Sequence, residues 1–152
     1  MSTPSATPTT PEVVTRGARL PILVYGTLRR CGEAHAPFGL ARRTRFLGRQ
    51  VLRGWLYDLG AYPGFRPGWG YVPADCLLPR DPELLAELDA FEGVEHADPV
   101  RGEYRRIAWP CRATGGPAWL WVYNGAVAGK PLCSGGWLAR SDAALSLPAA
   151  WR

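Results

Sequence analysis

Ile22-Leu23-Val24-Tyr25-Gly26-Thr27-Leu28 is the stretch on which the reading of this chain turns. It follows Pro21, is apolar up to Tyr25, is rich in β-favouring residues and breaks at a glycine. Alternating polarity would mark a strand with one wet face. An unbroken run marks a strand covered on both faces, and so one expected at the centre of a sheet. The turn that follows offers successive backbone N–H groups, which can hold a carboxylate or steady an oxyanion. Gly26 permits there a conformation or a close approach that a side chain would forbid. Taken alone the signal is weak, because many strands end in glycine. The turn is neither a GxxxxGK[ST] phosphate loop nor a GxGxxG dinucleotide fingerprint.

Working outward, residues 1–18 are rich in Ser, Thr and Pro and carry no apolar period. They read as a disordered tail, expected to run to residue 19, with one domain over 20–140 and a C-terminal tail over 141–152. Between Arg29 and Leu40 the composition predicts a loop with a short helical piece. Thr44 to Leu59 favours strand, with Gly48 and Gly54 as bulge positions. Gly60 to Gly68 reads as an irregular but ordered loop in which Tyr62 and Phe65 line a pocket, and Trp69 to Leu78 as strand again.

Asp81-Pro82-Glu83-Leu84-Leu85-Ala86-Glu87-Leu88-Asp89-Ala90-Phe91-Glu92-Gly93 is the best helix signal. Asp81 suits the N-cap, Pro82 the first turn and Gly93 the left-handed C-terminal position. Leu84, Leu85, Leu88 and Phe91 form the apolar face, with Glu87 and Asp89 turned to solvent. Glu103–Trp109 and Ala118–Tyr123 read as a hairpin joined through Ala113–Pro117, with Trp119, Trp121 and Tyr123 on one face. From Gly125 the chain looks irregular until Trp137-Leu138, and no internal repeat is visible. The sum is a single α+β domain.

The 152 residues suffice for one core, and a hydrophobic fraction of 47% excludes disorder throughout. No run approaches the roughly 18 apolar residues of a membrane span, and Met1-Ser2-Thr3-Pro4 lacks a secretory start. A cytoplasmic protein with no membrane partner is expected. Cys31, Cys76, Cys111 and Cys133 are widely spaced and form no CxxC pair, so free, mostly buried thiols are expected. With His35 and His96 they complete no zinc spacing, and no metal is expected. Of 18 basic residues 17 are arginine, and the net charge is +5. The arginines are scattered from Arg16 to Arg152, which points to a solvated surface rather than a nucleic-acid face.

The carboxylate of greatest interest is Glu92. On a helical wheel it lies beside Leu85 and Leu88, near the buried face, although periodicity alone favours a helix-end carboxylate pointing outward. At a helix C-terminus it opposes the helix dipole. Partial desolvation there would raise its pKa toward neutrality, which suits a general acid or base.

Leu23-Val24-Tyr25-Gly26-Thr27-Leu28-Arg29-Arg30 resembles the opening motif of the gamma-glutamylcyclotransferase-like superfamily, including its AIG2-like and gamma-glutamylamine cyclotransferase branches. The resemblance continues through Gly54-Trp55-Leu56-Tyr57-Asp58-Leu59, Tyr62-Pro63-Gly64 and Leu88-Asp89-Ala90-Phe91-Glu92-Gly93. It then passes to Tyr104-Arg105-Arg106 and Trp121-Val122-Tyr123, covering roughly residues 22–124 in the family's order. Each motif is short, but the ordered set is specific.

The resemblance implies a small mixed sheet forming a partly closed β-barrel with few short helices. It implies cleavage of a γ-glutamyl amide by the substrate's own α-amine, releasing 5-oxoproline and a free amine, without metal or cofactor. The family's catalytic glutamate falls on Glu92 and its substrate-holding loop on Tyr25, Gly26, Thr27 and Leu28. Tyr104 matches a recurrent tyrosine that binds substrate or orients Glu92, or else packs as a strand residue. Tyr62 and Phe65 line the leaving-amine side or pack within their loop, and Arg29 adds positive potential or faces solvent. Cys31 has no histidine partner and is set aside as a nucleophile. The partner implied is a small γ-glutamyl amine or amide, its leaving amine undecided, acted on by a monomer. The alternative is a non-catalytic binder of a small carboxylated metabolite on the same scaffold.

Overall fold

The computed structural model describes residues 19–138. The expected tails fall outside these residues, apart from residue 19, as do residues 139 and 140 of the expected domain. The described residues form five strands and two helices: β1 (Ile22–Val24), α1 (Leu40–Arg43), β2 (Thr44–Asp58), β3 (Pro63–Pro79), α2 (Leu84–Glu92), β4 (Tyr104–Pro110) and β5 (Pro117–Tyr123). A short 3-10 turn, Pro99–Arg101, precedes β4. The sheet order is β2-β3-β1-β5-β4. β1 pairs antiparallel with β3 and parallel with β5. No helix among the described residues is long and apolar enough to cross a membrane.

The unbroken apolar run of β1 does sit at the centre of the sheet. Its residues alternate between two cores, as strand geometry requires. Leu23 and Tyr25 join Leu52, Leu56, Phe65 and Leu120 on one face. Ile22 and Val24 join Leu28, Leu84, Leu88 and Trp121 on the other. The hairpin tryptophans obey the same rule: Trp119, Trp121 and Tyr123 all belong to the helix-side cluster.

Both expected bulges occur, with register slips between Phe46 and Gly48 and between Arg53 and Gly54. The expected irregular loop over Gly60–Gly68 does not survive. Only a tight turn after Asp58 separates the strands, and Pro63–Gly68 is already β3, paired with β2. The prolines misled because they cannot donate to a ladder. Here the Phe65 N–H points away from β2, to the Tyr25 hydroxyl. Pro63 and Pro67 share its parity, so their missing N–H groups cost no ladder bond.

Helix α2 also starts later than Asp81 suggested. The Asp81 carboxylate accepts the Glu83 N–H at 2.9 Å and pairs with Arg43 at 2.7 Å, closing a turn that feeds the helix. Gly93 ends it in the left-handed conformation, φ 70°, as its position predicted. Strand pairing leaves β2 and β4 as edges, so the sheet is not closed through its ladders. The Gln50 side chain links the two edges: from β2 it donates to Pro110 O at 2.8 Å and accepts the Arg112 N–H at 2.9 Å. None of the four cysteines is in a disulfide, but only Cys76 and Cys111 are buried; Cys133 is half-buried and Cys31 is exposed.

Candidate active site

A cavity of about 440 Å³ opens where the end of β1, the β2–β3 turn, the end of α2 and the start of β4 meet. Tyr25, Gly26, Thr27, Leu28, Tyr62, Glu92 and Tyr104 all line it. Phe65 does not; it is fully buried in the opposite core. Parity decides this: as a strand residue, Phe65 points to the other face of the sheet.

The turn after β1 is braced from within. Arg29 N donates to Gly26 O at 3.0 Å, Gly32 N to Arg29 O at 2.7 Å and Ala34 N to Thr27 O at 2.8 Å. None of the hydrogen bonds among the described residues uses the N–H of Gly26, Thr27 or Leu28. All three residues line the cavity, and a backbone N–H without a protein partner ordinarily finds one in solvent or a ligand. Gly26 is required for proximity: a Cβ there would stand 2.6 Å from the Pro63 ring. Arg29 neither faces solvent nor reaches the cavity. It is buried, and its Nη2 donates to Asp75 Oδ1 at 3.2 Å, while Arg30 N donates to Asp75 Oδ2 at 2.9 Å. One buried carboxylate of β3 thus fastens the turn to the sheet.

Glu92 ends α2 with its side chain half-buried against the cavity, the inward alternative of the helical wheel. Its pKa is pushed up to about 8, first by burial and then by the nearby carboxylates of Glu103 and Asp89. Asp89 corrects the expectation of a solvent-facing residue. It is buried, accepts the Trp121 indole N–H at 2.9 Å, and pairs with Arg106 at 3.1 Å and His96 at 3.4 Å. Its position one turn before Glu92 anchors the same face of the helix to β5 and β4.

The tyrosines divide into three jobs. Tyr25 OH donates to Trp121 O at 2.7 Å and accepts from Phe65 N, so its hydroxyl ties strands together. Tyr104 OH donates to Pro63 O at 2.6 Å, and its ring meets Tyr123 edge-on at 5.3 Å. Burial raises both phenols and keeps their protons on. Tyr62 donates to the carboxylate of Glu103, a bond that pushes it up to about 12. No local pattern marks Glu103, Asp89 or Trp121 as part of the site; all depend on chain segments meeting in space. At the rim, Phe38 meets Phe91 edge-on at 4.9 Å. Among the described residues no cluster of His, Cys, Asp or Glu is arranged to hold a metal ion.

This is a mixed α+β fold whose site pairs an N–H-rich turn with a carboxylic acid. A family model described as "Gamma-glutamyl cyclotransferase, AIG2-like" matches residues 22–139. The chain belongs to that family. It is 38% identical over 124 residues to the gamma-glutamylcyclotransferase family protein YtfP of Escherichia coli K12, covering 78% of this chain and 96% of the relative. It is also 38% identical over 107 residues to a putative gamma-glutamylcyclotransferase of Vibrio cholerae, covering 68% and 81%. The solution structure of Escherichia coli YtfP is similar with a TM-score of 0.62 at 34% identity, over 81% of this chain and all of that one. The crystal structure of a mouse AIG2-like protein shares the fold, with a TM-score of 0.62 at 21% identity over 88% and 99%.

Proposed function

We propose that this chain is a γ-glutamylcyclotransferase-type enzyme that cleaves a γ-glutamyl amide, releasing 5-oxoproline and a free amine. One observation carries the reading. Gly26, Thr27 and Leu28, whose N–H groups make no hydrogen bond among the described residues, line the same cavity as the proton-avid carboxyl of Glu92.

In this reading the turn N–H groups grip the substrate's α-carboxylate, which sets its α-ammonium toward Glu92. The ammonium gives a proton to Glu92. The freed amine then attacks the γ-carbonyl carbon, forming the ring C–N bond and a tetrahedral oxyanion. As that intermediate collapses, the bond to the leaving nitrogen breaks and Glu92 returns the proton to it; the ring nitrogen gives up its second proton, again through Glu92, to the departing amine, which leaves as an ammonium, so no net proton is consumed. The attack is intramolecular, and the enzyme gains chiefly by holding the substrate folded. A carboxyl near pH 8 has an affinity for protons close to that of an amine, so transfer in either direction costs little. Tyr62 and Tyr104 shape the wall: Tyr104 holds Pro63, and Pro63 seats Gly26. The substrate partner is a small γ-glutamyl amine, and its amine portion extends toward the aromatic rim.

Incubating wild type and Glu92→Gln with a panel of γ-glutamyl amines and following 5-oxoproline tests this directly. We expect release by wild type and a kcat about 10²–10⁴ lower in the variant. No release from any member of the panel, or a fully active Glu92→Gln enzyme, sinks the proposal.

A further inference from the structure

Two acids stand near Glu92, and their surroundings differ. Asp89, on the same helix, is neutralised by Arg106 and His96 and held by the Trp121 indole. Glu103 has no basic partner among the described residues; its side-chain partner is the neutral Tyr62 hydroxyl. Its charge is therefore uncompensated where it borders the cavity.

The backbone of Glu103 is fixed independently of its side chain. Its N–H donates to Gly93 O at 3.0 Å and its carbonyl accepts the Asn124 N–H at 2.9 Å. The side chain lies along Gly93: a Cβ built there would be 3.2 Å from Glu103 Cβ and 3.7 Å from Oε1. Gly93 is the neighbour of Glu92 in the chain. The next residue, Tyr104, bonds Pro63 while Glu103 bonds Tyr62. Consecutive residues at the head of β4 thus hold consecutive residues of the β2–β3 turn, against the end of α2. The remaining ionisable groups around Glu92 are the phenols of Tyr25, Tyr62 and Tyr104, with Glu33 also on the cavity wall. Among the described residues no arginine or lysine lines the cavity.

We propose that Glu103 is a second functional carboxylate of this cavity, a positioning residue held by Tyr62 that presents an uncompensated negative charge to Glu92 and keeps it a strong enough base to draw a proton from the substrate's ammonium. In catalytic terms this role rests on the cyclotransferase reading; the electrostatic coupling stands without it. The coupling is expected to be moderate, because Glu103 is itself open to solvent on one side.

The test is a carbon-13 NMR titration of the Glu92 side-chain carboxyl in wild type, Glu103→Gln and Glu103→Asp, with Glu92→Gln assigning the signal. Wild type is expected to titrate near pH 8. Glu103→Gln should move the midpoint down by about half a pH unit or more. Glu103→Asp, which keeps the charge, should move it less. Both variants retain the backbone bonds that fix this segment. With γ-glutamyl amines, the acid limb of the kcat/KM profile should shift in step with the midpoint. A midpoint unmoved in Glu103→Gln, or moved as far in Glu103→Asp, overturns the proposal. Failure of wild type to release 5-oxoproline would instead remove the cyclotransferase reading and leave the titration result standing.

Discussion

At the scale of the single residue, Glu92 joins stability to chemistry. A glutamate in an unfolded chain titrates near about 4.3, and in the cavity at about 8. Between those values the folded state holds a proton that the unfolded state has released. The associated stability is complete at acid pH and is lost as pH rises through 8. Glu92→Gln removes the titration. It should melt a few degrees above wild type at pH 9, with the gap closing toward pH 4. Thermal unfolding followed by circular dichroism across that range decides the matter; a gap independent of pH would show that burial of Glu92 carries no such cost. A chain that stores this strain at one carboxyl fits a site where an acid must give its proton back. The helical wheel placed Glu92 near the inner face, but burial and neighbouring charge come from segments it cannot represent.

At the scale of the element, α2 shows how far local signals reach. Gly93 stopped the helix as its left-handed preference predicts, and Leu84 and Leu88 turned inward as their spacing requires. Asp89 departs from the expected solvent face, where a charged residue between apolar positions ordinarily lies. Trp121, Arg106 and His96 come from later in the chain and make a buried carboxylate affordable there. Asp89→Ala leaves the indole N–H and the Arg106 guanidinium without that partner and frees the helix end that carries Glu92. We expect a loss of about 2–3 kcal/mol in urea unfolding, together with reduced 5-oxoproline release. A variant as stable as wild type would show that the leucines alone seat the helix.

At the scale of the whole molecule, the issue is how an open sheet protects its edges. The outer edge of β2 is met by the segment after β5: Asp58 N donates to Pro131 O and Cys133 N to Leu56 O, each at 2.8 Å. Farther along the strand, the Gln50 amide spans to the end of β4. Gln50→Ala would leave Pro110 O and Arg112 N without this partner, at an expected cost of about 1–3 kcal/mol by urea denaturation. An unchanged midpoint would mean that the two edges are held by the core between them.

The strand and turn of β1 and the helix end that carries Glu92 were legible as local structure, because they rest on local rules: an unbroken apolar run, a glycine, a helix with its stop. So were the bulges at Gly48 and Gly54 and the hairpin of β4 and β5. Only the resemblance to a family joined the turn and the acid as one site. Tertiary structure alone decided that Pro63–Gly68 is strand, since strand parity and not composition determines whether a proline loses a bond. It alone made Arg29 a buried fastener, Asp89 an anchor and Glu103 part of the cavity wall. The physical reason is the same in each case. A charged side chain's cost and use depend on its partners, and here those partners lie tens of residues away along the chain.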